Sequence, residues 1–326
     1  MLPAVTLLIP VYDDSDSARL LVAALDAEAP RLPCRLSVLF VDDGSAPAET
    51  ARLPGPTAAI ERIDVLRLRR NLGHQRAIAI GLAAVAAGPR PDLVVVMDGD
   101  GEDTPASLGL LLAAAAAAGD DAVVFARRLK RHDGVGFLVG YQSFRLLHRL
   151  LVGSDIAIGN FSAVPAALLD RVVGVAEIWN HYAAGVVHAR IPVRLVPIAR
   201  GRRLAGRSKM NLPALVMHGV CALSVWSDMI VARTLLVVAA VMAATLAILS
   251  ATAFGRLAGL PFVPEWAPGL SGVLVLVMLL LGVICMLLAL FMLGSRSGTT
   301  FLPHRDWRDH VLPDDRSHDR PRDRGA

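Results

Sequence analysis

The stretch Leu93-Val94-Val95-Val96-Met97-Asp98-Gly99-Asp100 decides the fold class of this chain. Its five consecutive apolar residues predict a short strand buried on both faces, as in a parallel sheet that is covered by helices. Two carboxylates follow where such a strand would end. Residues two apart in an extended segment point to the same side, so Asp98 and Asp100 can face one hard cation that prefers oxygen ligands. A polar turn is the plainer explanation for an isolated pair of this kind.

Other apolar runs alternate with helix-like segments along the N-terminal part of the chain. The runs that predict strands are residues 5–10, 36–41, 63–68, 93–97 and 122–125. The segments that predict helices are residues 15–28, 74–87 and 105–118. This alternation predicts an α/β fold with a Rossmann-like, mostly parallel sheet that is covered on both faces. Ligands of such sheets bind at the carboxyl ends of the strands.

Polar clusters follow the first four predicted strands. They are Tyr12-Asp13-Asp14, Asp42-Asp43-Gly44-Ser45, Arg70-Asn71-Leu72-Gly73-His74-Gln75 and Asp98-Gly99-Asp100-Gly101-Glu102-Asp103. Each alone is compatible with a turn or a helix cap, whereas four on one rim indicate a ligand site. The first strand is not followed by G-x-G-x-x-G, and the chain has no G-x-x-x-x-G-K-[ST]. These two observations disfavour a dinucleotide-binding dehydrogenase and a phosphate-loop NTPase.

The C-terminal third contains two long apolar runs, in a chain of 326 residues that is 54% hydrophobic and only 19% charged. Residues 234–254 and 267–295 carry no charge, and each exceeds the ~20 apolar residues that span a hydrocarbon core. Residues 188–209 contain seven arginines and lysines and no acid, whereas the linker between the runs has only Arg256 and Glu265. The positive-inside rule therefore predicts an integral membrane protein with a cytoplasmic N-terminal part and a cytoplasmic tail.

These features divide the chain into four predicted regions. They are an α/β domain over residues 1–205, an amphipathic juxtamembrane region over 206–232, a transmembrane hairpin over 233–295 and a tail over 296–326. The tail is expected to be disordered past about His310, because it is polar and rich in proline. Amphipathic helices at the bilayer are expected over residues 137–151 and 210–226, and the first is equally compatible with a core-facing helix.

In their order, the motifs resemble the family 2 glycosyltransferases of GT-A fold. The likeness is greatest to the branch that contains dolichol-phosphate mannosyltransferase and the bacterial polyprenyl-phosphate glycosyltransferases. The residues that carry it are Ile9-Pro10-Val11-Tyr12, Val41-Asp42-Asp43-Gly44-Ser45, Arg70-Asn71-Leu72-Gly73-His74-Gln75, Asp98-Gly99-Asp100 and Gly206-Arg207-Ser208-Lys209-Met210. Two apolar runs after the catalytic domain also fit that branch. The resemblance implies an inverting transfer of one sugar from a nucleotide-sugar donor to a polyprenyl phosphate.

The resemblance also implies roles for individual residues. Asp98 and Asp100 would be catalytic and would bind Mg²⁺ or Mn²⁺, which neutralises a diphosphate leaving group as a Lewis acid. The donor would be bound by Pro10, Tyr12, Asp13, Asp42, Asp43, Arg70, Asn71, Gly73, His74, Asp98 and Gly99. His74 is explained equally well as a solvent-facing residue next to a helix N-cap that does not bind the donor. We expect the acceptor phosphate to meet Arg127, Arg131, Arg207 and Lys209.

The acceptor is the least determined part of this hypothesis, because Ser162 stands where the branch usually has an arginine. A phosphate acceptor is already ionised at pH 7 and needs no general base, whereas a hydroxyl acceptor does. Asp170 and Glu177 are the candidate bases, and neither lies in a recognisable motif. A hydroxyl of a glycolipid or surface glycan stays open as the acceptor, as does a catalytically silent membrane scaffold. The expected partners exclude nucleic acid, and self-association stays open.

Overall fold

The computed structural model describes residues 2–128, 148–153, 158–206, 212–259, 267–297 and 301–313. The chain divides into two compact units. The first comprises Met1–Arg145, Asp155–Val225 and Phe301–Ala326, and the second comprises Leu146–Ser154 and Trp226–Thr300. The first unit contains the sheet and its covering helices, and the second contains the two long apolar helices.

A seven-stranded sheet forms the centre of the first unit. Its strands are β1 (Ala4–Val11), β2 (Arg35–Asp42), β3 (Ile60–Arg67), β4 (Leu93–Val96), β5 (Val123–Arg128), β6 (Ser162–Pro165) and β7 (Val193–Ile198). Their order is β3-β2-β1-β4-β6-β5-β7. Only β6 runs antiparallel to its neighbours, and the other pairs are parallel. The prediction of a mostly parallel sheet with strands at the five apolar runs is therefore confirmed.

Some helices alternate with the strands and cover the sheet, and others come after the last strand of the chain. They are α1 (Ser15–Glu28), α2 (Pro47–Thr50), α3 (His74–Ala87), α4 (Pro105–Ala118), α5 (Ala166–Val173), α6 (Tyr182–His188), α7 (Leu212–Ser224), α8 (Ser227–Leu257), α9 (Ala267–Ser297) and α10 (Pro303–Asp306). Short 3-10 turns lie at Ala29–Arg31, Gly119–Asp121, Ala176–Trp179 and Trp307–His310. The bounds of α1, α3 and α4 coincide with the predicted ones. Thr104 caps α4 by accepting a hydrogen bond from the Ser107 N–H, as N-cap threonines do.

The run at β4 is apolar throughout because the sheet is packed on both faces. Val94 and Val96 belong to the core beneath α3, whereas Val95 and Met97 belong to the core beneath α1 and α4. All four side chains are fully buried. Successive residues of a strand point to opposite faces, so a strand between two cores reads as a continuous hydrophobic run.

The two predicted spans lie within α8 and α9. Both helices are long and apolar enough to cross a membrane. No residue in the most apolar stretch of either helix is buried by the described part of the protein. Leu236, Leu279 and Phe291, for example, are 71%, 65% and 74% exposed. Large apolar side chains that no protein covers need an apolar surrounding. The predicted juxtamembrane region is helical over α7, whereas most of the helix expected over residues 137–151 lies outside the described residues.

The predicted tail region, residues 296–326, contains a described segment that packs in the first unit. Helix α9 ends at Ser297, and residues 301–313 belong to the first unit. Trp307 and Val311 are only 7% and 3% exposed, and Val311 forms a β-bridge with Leu68. In the structure, this segment therefore packs with the first unit. Trp307 and Val311 lie in a stretch of mostly charged and polar residues, so the sequence has no hydrophobic periodicity that would predict their burial.

Candidate active site

The carboxyl ends of β1, β2, β3 and β4 form one rim of the sheet. Their register pairs Val11 with Asp42 and Asp42 with Arg67, so the segments that follow these strands begin side by side. The polar clusters predicted from sequence therefore meet at this rim. The site residues brought together here are Pro10, Tyr12, Asp13, Asp42, Asp43, Arg70, Asn71, Gly73, His74, Asp98, Gly99 and Asp100.

Gly99 allows β4 and β1 to approach each other closely at the rim. A Cβ atom at this position would lie 3.1 Å from the Pro10 carbonyl oxygen and 3.2 Å from Cγ2 of Ile9. Both distances are tighter than ordinary van der Waals contacts. The glycine between the two aspartates thus serves the packing of the neighbouring strand, and this places Asp98 and Asp100 directly beside the end of β1.

Arg203 joins the acids of the first and fourth strands. Its Nη1 donates to Asp100 Oδ2 at 3.3 Å, and its Nη2 donates to Asp14 Oδ2 at 2.5 Å. Its Nε donates to the Ala205 carbonyl oxygen at 2.9 Å. The three side chains are about one-fifth exposed. Sequence reasoning counted Arg203 only as part of a basic run and did not assign it to the site, because charge was its only signal.

The loop that carries the two aspartates is held by the same basic segment. The Leu204 N–H donates to the Asp100 carbonyl oxygen at 3.0 Å, and the Gly201 N–H donates to the Glu102 carbonyl oxygen at 2.7 Å. Glu102 also forms an ion pair with Arg200. Within the loop, Asp100 Oδ1 accepts the Glu102 N–H at 3.0 Å. The position of Asp100 is therefore determined by residues that lie about a hundred positions further along the chain.

The carboxylates at the end of β4 fit a divalent cation that is shared with a ligand. Asp98 and Asp100 offer the oxygen ligands that Mg²⁺ and Mn²⁺ prefer, and the contact with Arg203 shows that Asp100 accommodates a positive charge. Within the described ranges, no three histidine, cysteine or acidic side chains are placed to hold a metal ion. Two carboxylates together with phosphate oxygens are the usual way in which Mg²⁺ is bound.

Asp42 and Asp43 are buried acids that organise two loops of the rim. Asp42 accepts the Ser45 N–H at 2.9 Å and the Thr50 hydroxyl at 2.5 Å. Asp43 accepts the N–H groups of Leu72 and Gly73 at 2.7 and 2.8 Å. The side chains are therefore turned toward protein backbone and hydroxyl groups. Each still has lone pairs for a further partner, since a carboxylate accepts about four hydrogen bonds.

Burial raises the pKa of Asp43 to about 6 from its ordinary 3.8, despite the opposing effect of the two N–H groups and of Arg76. Between these pH values the folded protein binds more protons than the unfolded chain. We therefore expect this carboxyl to lower the free energy of unfolding as the pH rises from about 4 to 6, by at most about 3 kcal/mol. Thermal unfolding in detergent between pH 4 and 6, measured for the wild-type protein and for Asp43→Asn, tests this fall in stability. Parallel pH profiles for the two proteins would contradict it.

Three histidines lie together beside the rim. The His218 ring centroid is 5.3 Å from that of His74 and 4.7 Å from that of His181. Burial lowers the pKa of His74, although the negative charge of Asp98 opposes this, and burial also lowers the pKa of His181 to about 3. His181 is therefore neutral at pH 7. Its Nδ1 accepts the Ala184 N–H and caps α6, so its role in the described contacts is structural.

Gln75 ties the start of α3 to the start of α6. Its Nε2 donates to Asn160 Oδ1 at 3.0 Å, and its Oε1 accepts the Tyr182 N–H at 2.6 Å. Ser162 is fully buried and lies 2.8 Å from the Tyr182 hydroxyl. The position where the resemblance leads one to expect an arginine thus belongs to a neutral buried network.

The predicted acceptor residues are only partly described. Arg127 is exposed at the end of β5, whereas Arg131, Arg207 and Lys209 lie outside the described residues. Asp170, one of the two candidate bases, forms a bidentate ion pair with Arg90 at 2.8 Å. This ion pair lies near the amino end of β4. There the carbonyl oxygen of Asp92, just before β4, accepts the N–H of Ala166, the first residue of the helix that carries Asp170. Asp170 is therefore not part of the rim that carries Asp98 and Asp100.

The sequence matches proteins of known family. The family-level sequence model described as "Glycosyl transferase family 2" matches residues 6–170. An undecaprenyl-phosphate 4-deoxy-4-formamido-L-arabinose transferase of Klebsiella pneumoniae subsp. pneumoniae is 32% identical over 133 residues, which are 40% of this chain and 38% of that protein. The glycosyltransferase YkcC of Bacillus subtilis, described as uncharacterised, is 28% identical over 228 residues, 67% of this chain and 68% of that protein. The chain thus matches less than half of the length of the first relative.

Solved structures support the fold. Mannosyl-3-phosphoglycerate synthase from Rubrobacter xylanophilus superposes with a TM-score of 0.50 at 15% identity, over 69% of this chain and 73% of that one. Glucosyl-3-phosphoglycerate synthase from Mycobacterium tuberculosis, in complex with Mn²⁺, UDP-glucose and phosphoglyceric acid, superposes with the same score over 70% and 80% of the two chains, at 15% identity. The expected GT-A fold is confirmed. With a family match over half of the chain, this protein belongs to glycosyl transferase family 2.

Proposed function

We propose that this protein is a membrane-anchored, metal-dependent, inverting glycosyltransferase that moves one sugar from a nucleotide-sugar donor to a polyprenyl phosphate. The observation that carries the proposal is the pair Asp98 and Asp100 at the end of the central strand β4, where Asp100 contacts the cationic Arg203. A site of this kind suits a diphosphate and its counter-ion. The name of the Klebsiella relative, an undecaprenyl-phosphate transferase, supports the choice of acceptor.

The donor is proposed to bind along the rim formed by β1, β2 and β3. Arg70 and Asn71 are exposed, and the amides of Leu72 and Gly73 are occupied by Asp43. The two exposed side chains are thus presented by a loop whose backbone is already held. Arginine binds phosphate oxygens bidentately, which makes Arg70 and Arg203 suitable contacts for the diphosphate.

A divalent cation at Asp98 and Asp100 would supply Lewis-acid stabilisation of the departing nucleoside diphosphate. The remaining chemistry rests on the protein. Arg203 holds Asp14 and Asp100 at a fixed separation and adds positive charge where the leaving group gains negative charge. The Leu204 and Gly201 hydrogen bonds keep the loop from shifting.

A phosphate acceptor removes the need for a carboxylate base. A phosphate oxygen attacks the anomeric carbon, the bond from that carbon to the donor diphosphate breaks, and the nucleoside diphosphate leaves. The attacking oxygen is already anionic, so no proton has to be removed. Asp170, which would otherwise be a candidate base, is paired with Arg90 away from the rim.

The membrane arrangement proposed is a cytoplasmic catalytic unit anchored by α8 and α9. Two spans return the chain to its starting side, and the packing of residues 301–312 on the catalytic unit supports such an even number of crossings. The basic residues between 190 and 209 support the cytoplasmic side. They would also attract the anionic headgroups among which a polyprenyl phosphate lies.

Membranes that contain the protein test this function when they are supplied with labelled nucleotide sugars, Mn²⁺ or Mg²⁺ and a polyprenyl phosphate. We expect an organic-extractable labelled lipid whose sugar is released by mild acid, because a sugar linked through phosphate is labile. An acid-stable product would indicate a hydroxyl acceptor instead. Folded protein that binds donor but transfers nothing, across a broad panel of donors and acceptors, would contradict enzymatic transfer and favour a binding scaffold.

A further inference from the structure

The segment that follows the second apolar helix binds the catalytic unit beside the proposed donor site. We call residues 301–312 the tail segment. The Arg69 N–H donates to the His310 carbonyl oxygen at 2.9 Å, and the Leu312 N–H donates to the Arg67 carbonyl oxygen at 3.0 Å. These bonds flank the bridge between Leu68 and Val311. The tail segment thus adds a short antiparallel pairing just beyond the end of β3.

The pairing holds one side of the loop that carries Arg70 and Asn71. We call residues 69–73 the donor loop. At its end, Asp43 accepts the amides of Leu72 and Gly73, and at its start the tail segment accepts the amide of residue 69. A short loop with both ends hydrogen-bonded has little freedom to change conformation. One of its two attachments therefore comes from a segment about 240 residues further along the chain.

Side chains of the tail segment anchor it to the same region. Trp307 and Val311 lie in the core beneath α3, together with Leu68. Phe301 stacks on Trp179 with ring centroids 3.8 Å apart, and Arg76, in the first turn of α3, lies 5.2 Å from the Trp179 ring. The donor loop leads directly into this first turn. The tail segment therefore supports both the loop and the helix that follows it.

Trp307 contributes through packing and not through a hydrogen bond. Its side chain is buried, and its indole Nε1 has no hydrogen-bond partner among the residues that the structure describes. Replacing it by phenylalanine would keep an aromatic ring and remove the unpaired N–H group, whereas alanine would leave a cavity. The comparison of Trp307→Phe with Trp307→Ala thus shows whether an aromatic side chain packed at this position is sufficient.

We propose that the tail segment is a positioning element for the donor site, so that tight donor binding requires Trp307 and Leu312 to hold the donor loop against the catalytic unit. This inference rests on the proposed function for its link to the donor. The tail segment touches no reacting atom in this scheme. It acts by raising the fraction of protein in which the loop is ready to bind, so its loss weakens apparent donor affinity by that fraction.

The test uses the full-length protein in detergent or nanodiscs, with Trp307→Ala and Leu312→Pro as the two disruptive variants. Proline at 312 removes the N–H that donates to the Arg67 carbonyl oxygen. We expect faster amide hydrogen exchange in the donor loop of both variants, measured without any ligand. With a donor identified by the transfer assay, we expect KM for the donor to rise about tenfold while kcat changes little.

Two further variants serve as controls. Trp307→Phe should keep the amide hydrogen exchange of the donor loop and the KM for the donor at wild-type values. Asp309→Ala, at an exposed position of the same segment, should change neither quantity. Unchanged loop exchange or donor KM in both disruptive variants would overturn the inference, as would a loss confined to kcat. If one variant fails to fold, the other still carries the test. The wild-type protein could instead transfer no sugar while both disruptive variants still show faster amide hydrogen exchange in the donor loop. That result would retain the positioning role and contradict the proposed function.

Discussion

Replacing Asp100 by alanine is expected to reduce sugar transfer by at least about a thousandfold, because the cation proposed to bind there would stabilise the leaving diphosphate by several kcal/mol. Asp100 is one of the two carboxylates at the end of β4, and its position is set by Arg203 and by the backbone of Leu204. The rate of labelled lipid formation measures the effect. A second measurement is the rise in melting temperature caused by Mn²⁺ with nucleotide, which the variant should lose.

Two matched variants separate loss of the proposed cation site from loss of structure. Asp100→Asn keeps the size of the side chain and an acceptor for the Glu102 N–H, but it removes the charge, so we expect a similar loss of transfer. Asp121→Ala changes an exposed acid in the turn after α4 and should leave transfer intact. Near-normal transfer by Asp100→Asn would show that the cation site lies elsewhere.

Gly44→Ala is expected to weaken donor binding by at least about tenfold and to lower the free energy of unfolding by about 3 kcal/mol, through backbone strain and overpacking. Gly44 has a φ of 76°, and a Cβ atom there would lie 2.6 Å from both the carbonyl carbon of Arg70 and the nitrogen of Asn71. The loop after β2 and the donor loop would have to separate. Donor titrations and thermal unfolding measure the two effects.

Gly119→Ala is the control for backbone strain at Gly44. Gly119 also has a positive φ, of 63°, but a Cβ atom there would meet nothing within 4 Å. We expect this variant to lose some stability and to keep its donor affinity, because the strain lies in the turn after α4. Equal donor affinity for the two alanine variants would show that the close approach of the loops is not needed for binding.

The sequence predicted β1 to β5 and the helices α1, α3 and α4 because each of these elements has a local pattern. The run over β4 is apolar at every position, and α4 begins with Thr104-Pro105, a cap followed by proline. Strands β6 and β7 lack such a pattern. The first is a four-residue strand that begins with a buried serine, and the second carries the exposed Arg194.

The acidic rim was predictable for a similar reason. Asp13, Asp42, Asp43, Asp98 and Asp100 each follow an apolar run, and the carboxyl ends of adjacent parallel strands meet at one edge. What each carboxylate contacts was not predictable. The sequence could not show that Asp43 turns onto the amides of Leu72 and Gly73, because hydrogen bonds between loops depend on how closely the strands are packed.

Local periodicity and the order of motifs thus determined the fold class, the family resemblance, the apolar helices and the rim on which the acids stand. Tertiary structure alone decided that Arg203 reaches Asp100, that Asp170 pairs with Arg90 elsewhere, and that Trp307 and Val311 return to the core beneath α3. These contacts join residues that are 80 to 240 positions apart, approximately, along the chain. Periodicity reports only on neighbours within a helix turn or a strand, so contacts at such separations appear only once the chain has folded.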